Sequence, residues 1–538
     1  MPWLLWGSLF LIALFFQVRS GAWRSDFGGH ADEGAHVVTS LMVRDYLGGG
    51  FIGQPHPMRY AEEYYARFPK VALGHYPPGF YLVAASILLP FRAGAALLLL
   101  MSAIAASAGM LVAWFGRRLG FGRVSAVLLA VTYLLLPQTR TYTSLVMADL
   151  LLVLFTLLAA RSFLRFLDSG TSGDSILFGC WAAGAILTKG SAVGLAFLPP
   201  LAIFFSGKLS RFFVPRLWLA PVPVLVLALP WIWLTLGITR EGMQGGDPAS
   251  WASRSAPFYS SALIHETGWI ALSALLSAIF LTIKRFWQMR CGERDEVAVL
   301  WALLLAGAVV PILVPTGFDH RYLMPLVPSI LLLGAWGVSS LLGRRIRSTS
   351  GAWQQQLSVA LFLILVLAET ARPVWKFYTG ASTSIDLILA AVEERGGDPQ
   401  GAVRILVISD ATGEGALVAA GALVGPKRLR MDRGSKFLAR SDWMGRGYAS
   451  AFKSPGELRE QLVAGTFEFL VIDPPPPGAV EHWRSVHQWL QAGGLPEWQA
   501  LADVPAWRRQ SESRFRIYAI RSPDPAGAGG SALPAGPN

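Results

Sequence analysis

Long apolar runs separated by short polar segments organise roughly the first 370 residues of this chain. The runs are Trp3–Val18, Pro78–Phe115, Val124–Pro137, Tyr142–Ala160, Ile176–Leu187, Val193–Phe205, Leu217–Leu236, Trp269–Ile283, Val297–Val314, Tyr322–Leu342 and Leu357–Ala368. Many approach the ~20 residues a helix needs to cross a bilayer. They predict about eleven spans. Pro78–Phe115 is too long for one straight helix and breaks near Pro90-Phe91-Arg92, which widens the count to about eleven to thirteen. After Arg372 the period changes. Val403–Ser409 and Phe467–Asp473 read as buried strands, Phe515–Ile520 as a last strand, and helices fall after Asp410 and around Val480–Leu490. The predicted fold class is an α-helical polytopic membrane protein with a small C-terminal α/β domain. Its parts are residues 1–371 in the membrane, 372–521 in the α/β domain, and a Gly/Pro/Ala-rich tail at 522–538 expected to be disordered.

Composition agrees with the pattern. The chain is 53% hydrophobic and 15% charged, too little charge for one soluble surface. Its net charge of +12 is unevenly placed. Basic residues gather at Arg117/Arg118/Arg123, Arg161/Arg165, Lys208/Arg211/Arg216, Lys284/Arg285/Arg290/Arg294 and Arg344/Arg345/Arg347. The positive-inside rule makes these loops cytoplasmic and places residues 20–77, the 237–268 loop, the 316–321 turn and everything after Arg372 on the outer side. No motif links this charge to nucleic acid. Cys180 and Cys291 lie near predicted cytoplasmic ends, which argues against a disulfide or a cysteine metal site. The N-terminal run has no basic residue before Arg19 and reads as a retained span. Gly413-Glu414-Gly415 reads as a strand-to-helix turn, since the spacing of a phosphate loop is missing.

The first outer loop is the richest in chemistry. It opens with Gly29-His30-Ala31-Asp32-Glu33-Gly34-Ala35-His36 and closes with Gly74-His75-Tyr76-Pro77-Pro78-Gly79-Phe80-Tyr81. Val37, Val38, Leu41, Met42 and Tyr46 lie at helical spacing opposite Thr39, Ser40, Arg44 and Asp45, the pattern of an amphipathic helix on the membrane surface. Asp32-Glu33 would begin it, as an N-cap with first-turn acidity or as a catalytic pair. His30, His36 and His75 are either solvated or, with the carboxylates, ligands of a divalent metal; Asp32, Glu33 and His75 are the candidate ligands. Tyr64, Tyr65 and Tyr81 suit an interfacial aromatic belt or stacking on sugar rings.

Several motifs in order resemble the C-fold glycosyltransferases that use polyprenyl-phosphate sugars. The pattern is similar to family 39, which includes the lipid A aminoarabinose transferases and protein O-mannosyltransferases, and to the related galacturonosyltransferases. These motifs are Asp32-Glu33 after the first span, Tyr76-Pro77-Pro78-Gly79-Phe80-Tyr81 (like "KPP-aromatic"), Met147-Ala148-Asp149 (like "MTD"), and Leu187-Thr188-Lys189-Gly190 ("LTKG"). Pro230-Trp231 ("PW"), Arg254 with Pro257-Phe258-Tyr259 (like "R-x-PFYY") and Arg321-Tyr322-Leu323-Met324-Pro325 (like "RYLLP") complete the set. The resemblance spans Trp3 to Ala371. One departure matters: the family's lysine before Pro-Pro, expected on the donor phosphate, is Tyr76 here.

The resemblance implies transfer of a sugar from a polyprenyl phosphate to an outer acceptor: lipid A or other lipopolysaccharide, another envelope glycan, or a protein. Such a reaction needs a carboxylate to take the acceptor proton and cations to stabilise the leaving phosphate. Asp32, with Glu33 beside it, is the catalytic carboxylate that the resemblance implies, taking the acceptor proton. Lys189, Arg254, Arg321 and Tyr76 are the expected donor-phosphate contacts, and Asp149, His75, Arg59 and Tyr81 possible support. Lys189 alternatively snorkels to water, and Asp149 alternatively makes a structural hydrogen bond. Two other classes stand beside the enzyme: a transporter or lipid flippase, and a polyprenyl-phosphate-binding scaffold without catalysis. The former is disfavoured because the ionisable groups gather at outer span ends rather than mid-bilayer.

Overall fold

The computed structural model describes residues 2–49, 55–243, 247–287, 294–343, 351–374, 378–395, 402–425, 428–442 and 445–520. The 522–538 tail, Cys291, Arg290, Arg344, Arg345 and Arg347 lie outside the described residues. The chain divides into two compact units, residues 1–66 with 70–378 and residues 67–69 with 379–538. The division thus falls seven residues beyond Ala371. Tyr378 belongs to the first unit because its carbonyl accepts from Asp26 N (2.6 Å) and its N–H donates to Ser25 Oγ (2.7 Å). Thr379 instead donates to the Trp507 carbonyl at 3.2 Å in the second unit.

The first unit begins with α1 (Pro2–Arg19), α2 (Glu33–Gly48), α3 (Pro57–Tyr65), α4 (Gly79–Leu88), α5 (Gly94–Arg118), α6 (Arg123–Leu135), α7 (Pro137–Thr143), α8 (Asp149–Ser169) and α9 (Ser172–Thr188). Among the described residues eight helices are long and apolar enough to cross a membrane. They are α1, α5, α8, Pro215–Glu241, Ala249–Lys284, Asp295–Leu313, His320–Leu342 and Trp353–Thr370. Other predicted runs form shorter helices, including α4, α6 and Gly190–Phe205. The expected break at Pro90-Phe91-Arg92 separates α4 from α5. Ala249–Lys284 is kinked at Gly268, whose φ of 82° is left-handed. Trp3, Phe213 and Trp233 are more than four-fifths exposed, a disposition suited to lipid rather than water. The chain is a multi-pass membrane protein.

One local expectation is corrected. α2 is not a half-exposed surface helix, because every residue from Glu33 to Met42 is buried. The hydroxyls on its supposed polar face are satisfied internally. Thr39 donates to the Ala35 carbonyl (2.7 Å) and accepts from Ala72 N (2.8 Å), and Ser40 donates to the His36 carbonyl (2.7 Å). α2 packs on α4.

The second unit holds a five-stranded sheet in the order β2-β1-β5-β7-β6. The strands are β1 (Val403–Ile408), β2 (Leu429–Arg433), β5 (Phe469–Ile472), β6 (Trp498–Arg508) and β7 (Ser511–Ile520); β3 (Ala439–Arg440) and β4 (Ala449–Ser450) form a separate ribbon. β1 runs parallel to β2 and β5, and β7 is antiparallel to β5 and β6. Asp410 caps the helix Ala411–Val424 through Thr412 N and Gly413 N, so Gly413-Glu414-Gly415 lies inside a helix. Leu406, Ile408, Leu470, Ile472, Trp483 and Val486 are core residues of this unit.

Candidate active site

The backbone brings together the start of α2, the turn before α4, the start of α8, the end of α9 and the turn before Val327. Asp32 occupies the N-cap of α2, yet its side chain caps nothing. Its Oδ2 instead accepts from Arg321 Nη1 (2.8 Å) and Tyr76 Oη (2.9 Å). Burial opposes its charge, but Arg321 and His30 outweigh that and hold the carboxyl well below the usual carboxylate range. Glu33, one residue on, does different work. It is fully buried, and its two oxygens accept from Gly29 N (2.9 Å) and Val146 N (3.0 Å). Consecutive helical residues point about 100° apart. The pair therefore separates into Asp32, beside the cations, and Glu33, which ties the loop to the segment before α8.

Arg321 is held by a short helical turn, His320–Leu326, whose N-cap Asp319 accepts from Arg321 N. Asp319 also pairs with Arg321 Nε at 3.0 Å and with His30 Nε2 at 3.3 Å. These interactions keep the Asp319 carboxyl far below its ordinary value despite burial. Nothing in the sequence marked Asp319, because its partner His30 is 289 positions away.

Lys189 ends α9 in an extended conformation, and its Nζ lies 2.6 Å from Asp149 Oδ1. Both side chains are buried, at 6% and 1% exposure. One alternative is corrected here: Lys189 does not snorkel to water, because its buried ammonium is engaged by Asp149. Asp149 is the first residue of α8 rather than an interior one. Lys189 Nζ also sits 4.4 Å from the Tyr322 ring centre, and the Arg321 guanidinium carbon 5.6 Å from the same ring. Tyr322 thus draws the two cations together. Gly79 lets the Pro-Pro turn approach this point, since a Cβ there would lie 2.7 Å from the Leu187 carbonyl oxygen.

His36 lies one turn below Asp32 and is buried, not solvated. Its Nδ1 is 3.1 Å from Tyr81 Oη, its ring centre is 4.7 Å from that of Tyr76, and its Nε2 has no hydrogen-bond partner among the described residues. Burial pushes its pKa down to about 4, so it is neutral at pH 7. Tyr81 is fully buried against it, neither a belt residue nor an open stacking surface. Tyr64 is likewise buried.

Other expected residues are not in this cluster. Arg254 packs over Trp251 and bonds the Ser250 carbonyl. Arg59 makes an exposed pair with Glu63 on α3. His75 is half-buried in the Leu73–Tyr76 turn. Asp32, Glu33 and His75 are not among the groups of converging ligand atoms in the described residues; both Glu33 oxygens and Asp32 Oδ2 meet N–H or O–H donors. Among the described residues, His265, Glu266 and His320 hold their ligand atoms within 4.8 Å of one another. There the Arg372 guanidinium contacts Glu266 (2.7 Å) and the His265 ring (2.7 Å), so an arginine already supplies the positive charge. No step through a metal follows from either group.

Residues 75–234 match the family model of dolichyl-phosphate-mannose-protein mannosyltransferases. No curated protein matches the chain. Among solved structures, ArnT from Cupriavidus metallidurans in the apo state is similar with a TM-score of 0.54 at 15% identity, covering 96% of this chain and 97% of that one. The same protein bound to undecaprenyl phosphate gives a TM-score of 0.49 at 15% identity, over 96% and 98% of the two chains. The chain thus has an ArnT-like fold, and its residues 75–234 are similar to the dolichyl-phosphate-mannose-protein mannosyltransferases.

Proposed function

We propose that this chain is an integral-membrane glycosyltransferase of the cytoplasmic (inner) membrane that moves a sugar from a polyprenyl phosphate to an extracytoplasmic glycan, lipid or protein, with its C-terminal domain on the same outer side. The observation that carries this reading is the Asp32–Arg321–Tyr76 contact beside the Lys189–Asp149 pair around Tyr322. It sets an ionised carboxylate next to two cations at the ends of apolar helices.

The chemistry follows from charge. The acceptor O–H attacks the anomeric carbon, the bond from that carbon to the phosphate oxygen breaks, and the phosphate leaves with the electron pair. Asp32 takes the acceptor proton. A carboxylate held so far below neutral pH is a weak base while Arg321 stays on it. Donor phosphate offers Arg321 a competing, more highly charged partner. As the guanidinium turns to the phosphate, Asp32 becomes more basic. One arginine therefore couples donor binding to acceptor activation. Tyr76 supplies a hydroxyl donor where the family pattern has lysine, which leaves the positive charge to Arg321 and Lys189.

Native mass spectrometry of protein purified from its own host tests the donor. A retained polyprenyl phosphate bearing a sugar supports the reading, and its mass names the sugar. Only bulk phospholipid, even after polyprenyl phosphate is added, moves a transporter to the front. Asp32→Asn should then keep the lipid and lose transfer by about 10²–10⁴-fold; normal turnover removes Asp32 from the mechanism.

A further inference from the structure

Beside the end of α1 lies a cavity of about 200 Å³ lined by Phe15, Phe16, Arg19, Ser20, Arg140 and Ser144, with Pro373 and Val374 closing it. No carboxylate pairs with Arg19 or Arg140 among the described residues. Arg140 is half-buried. Its Nη2 donates to the Arg372 carbonyl at 2.7 Å, its guanidinium lies 5.5 Å from the Phe16 ring centre, and its Nε has no hydrogen-bond partner among the described residues. A partly desolvated guanidinium without an anion is costly. Burial and the nearby Arg372 both press the Arg140 pKa downward, the direction expected where positive charge is in excess. On the lipid-facing side, Leu11, Phe15 and Val18 of α1 are all more than half exposed and lead up to this cavity.

We infer that the cavity binds the phosphate-bearing headgroup of an anionic lipid, with Arg19 and Arg140 on the phosphate and the acyl chains along the outer face of α1. Two cations without a carboxylate partner among the described residues, at the mouth of an apolar helix face, fit an anionic headgroup better than a zwitterionic one. The Ser20 and Ser144 hydroxyls, 2.9 Å apart, stand at its wall as further hydrogen-bonding groups. Asp32 is not among the residues that line this cavity, so lipid binding here is distinct from the chemical step of transfer. Its ligand is either bulk anionic phospholipid or a phosphorylated glycolipid of the kind that serves as an acceptor.

The test is native mass spectrometry of the full chain, delipidated and then offered phosphatidylglycerol, phosphatidylcholine or a diphosphorylated glycolipid (lipid A) at equal concentration. Wild type is expected to retain the anionic lipids over phosphatidylcholine. Arg19→Gln and Arg140→Gln should each reduce that retention about tenfold or more. Stronger retention of phosphatidylglycerol names bulk phospholipid as the occupant. Stronger retention of the glycolipid, with a raised KM for it in the variants, names the acceptor class. Equal retention of phosphatidylcholine by wild type overturns the inference whatever the variants do. Unchanged retention in both folded variants overturns it as well.

Discussion

Lys189 offers the sharpest separation of structural from catalytic work. Its ammonium is 2.6 Å from Asp149, and the second oxygen of Asp149 has no hydrogen-bond partner among the described residues. Lys189→Met keeps most of the volume and removes the charge. Asp149 is then a buried carboxylate with no cation on it, and breaking a buried pair from one side costs about 3–5 kcal/mol. The lost contact with the Tyr322 ring adds about 0.5–2 kcal/mol. Asp149→Leu should be destabilising to a similar degree through a stranded ammonium. The double variant, Lys189→Met with Asp149→Leu, removes both charges and should recover most of the loss, because apolar replacement of a whole buried pair is often neutral or stabilising.

The assay is the fraction of monodisperse protein surviving a temperature ramp in one detergent, read by size-exclusion fluorescence. The expected order is wild type and double variant together, with both single variants well below. Such coupling is what a double-mutant cycle isolates. A double variant that melts at the sum of the two single losses refutes the pair as an energetic unit. A Lys189→Met protein as stable as wild type, yet unable to bind donor, assigns the lysine to phosphate alone.

Three further outcomes follow from the same geometry. His36 has a folded pKa of about 4 against 6.5 unfolded, so the unfolded chain binds the proton more tightly; its contribution, about 3 kcal/mol, is intact above pH 6.5 and lost as pH falls from 6.5 toward 4. Melts between pH 8 and 4 should show this decline, and His36→Phe should flatten that part of the profile; an unchanged slope rejects the assignment. Glu33→Gln replaces one acceptor oxygen by an N–H donor facing a backbone N–H, and should cost about 1.5–3 kcal/mol in thermal stability; a melt equal to wild type would falsify its tying role. Gly79→Ala meets the Leu187 carbonyl at 2.7 Å and should lose about 1–3 kcal/mol, whereas Gly190→Ala has nothing within 4 Å and should stay within about 0.5 kcal/mol by the same melt.

The apolar runs made the membrane unit legible because span length and hydropathy are local properties. Gly268, where two helical stretches meet at φ 82°, lay just before one predicted run and carried no turn signal of its own. In the second unit the β6–β7 hairpin was half missed. Its turn is Arg509-Gln510, at φ 49° and 59°, where Asn-Gly is the usual signal for positive φ at both positions. β2 was missed because Leu-Arg-Met-Asp-Arg alternates with charges and resembles a loop. Within the site, the Asp32-Glu33 pair stood out as a motif. Which of the two faces the cations depends on a 100° turn and on partners far along the chain, and neither is written locally.

The charges around Tyr322 carry the mechanism one step further. Asp32, Asp149 and Asp319 supply three carboxylates, and Lys189 and Arg321 supply two cations already in contact with them. The proposed donor phosphate could not simply add to a ready clamp, because Lys189 and Arg321 are already engaged by carboxylates. It must exchange with a carboxylate. Arg321 is the better candidate to move, since its Asp32 partner is 23% exposed whereas the Lys189–Asp149 pair is buried on both sides. Exchange at Arg321 would free Asp32, the carboxylate proposed to activate the acceptor, while exchange at Lys189 would strand Asp149 in the interior. In the proposed mechanism the resting ion pair keeps Asp32 a poor base until the donor arrives, and a single guanidinium would decide when the acceptor is activated.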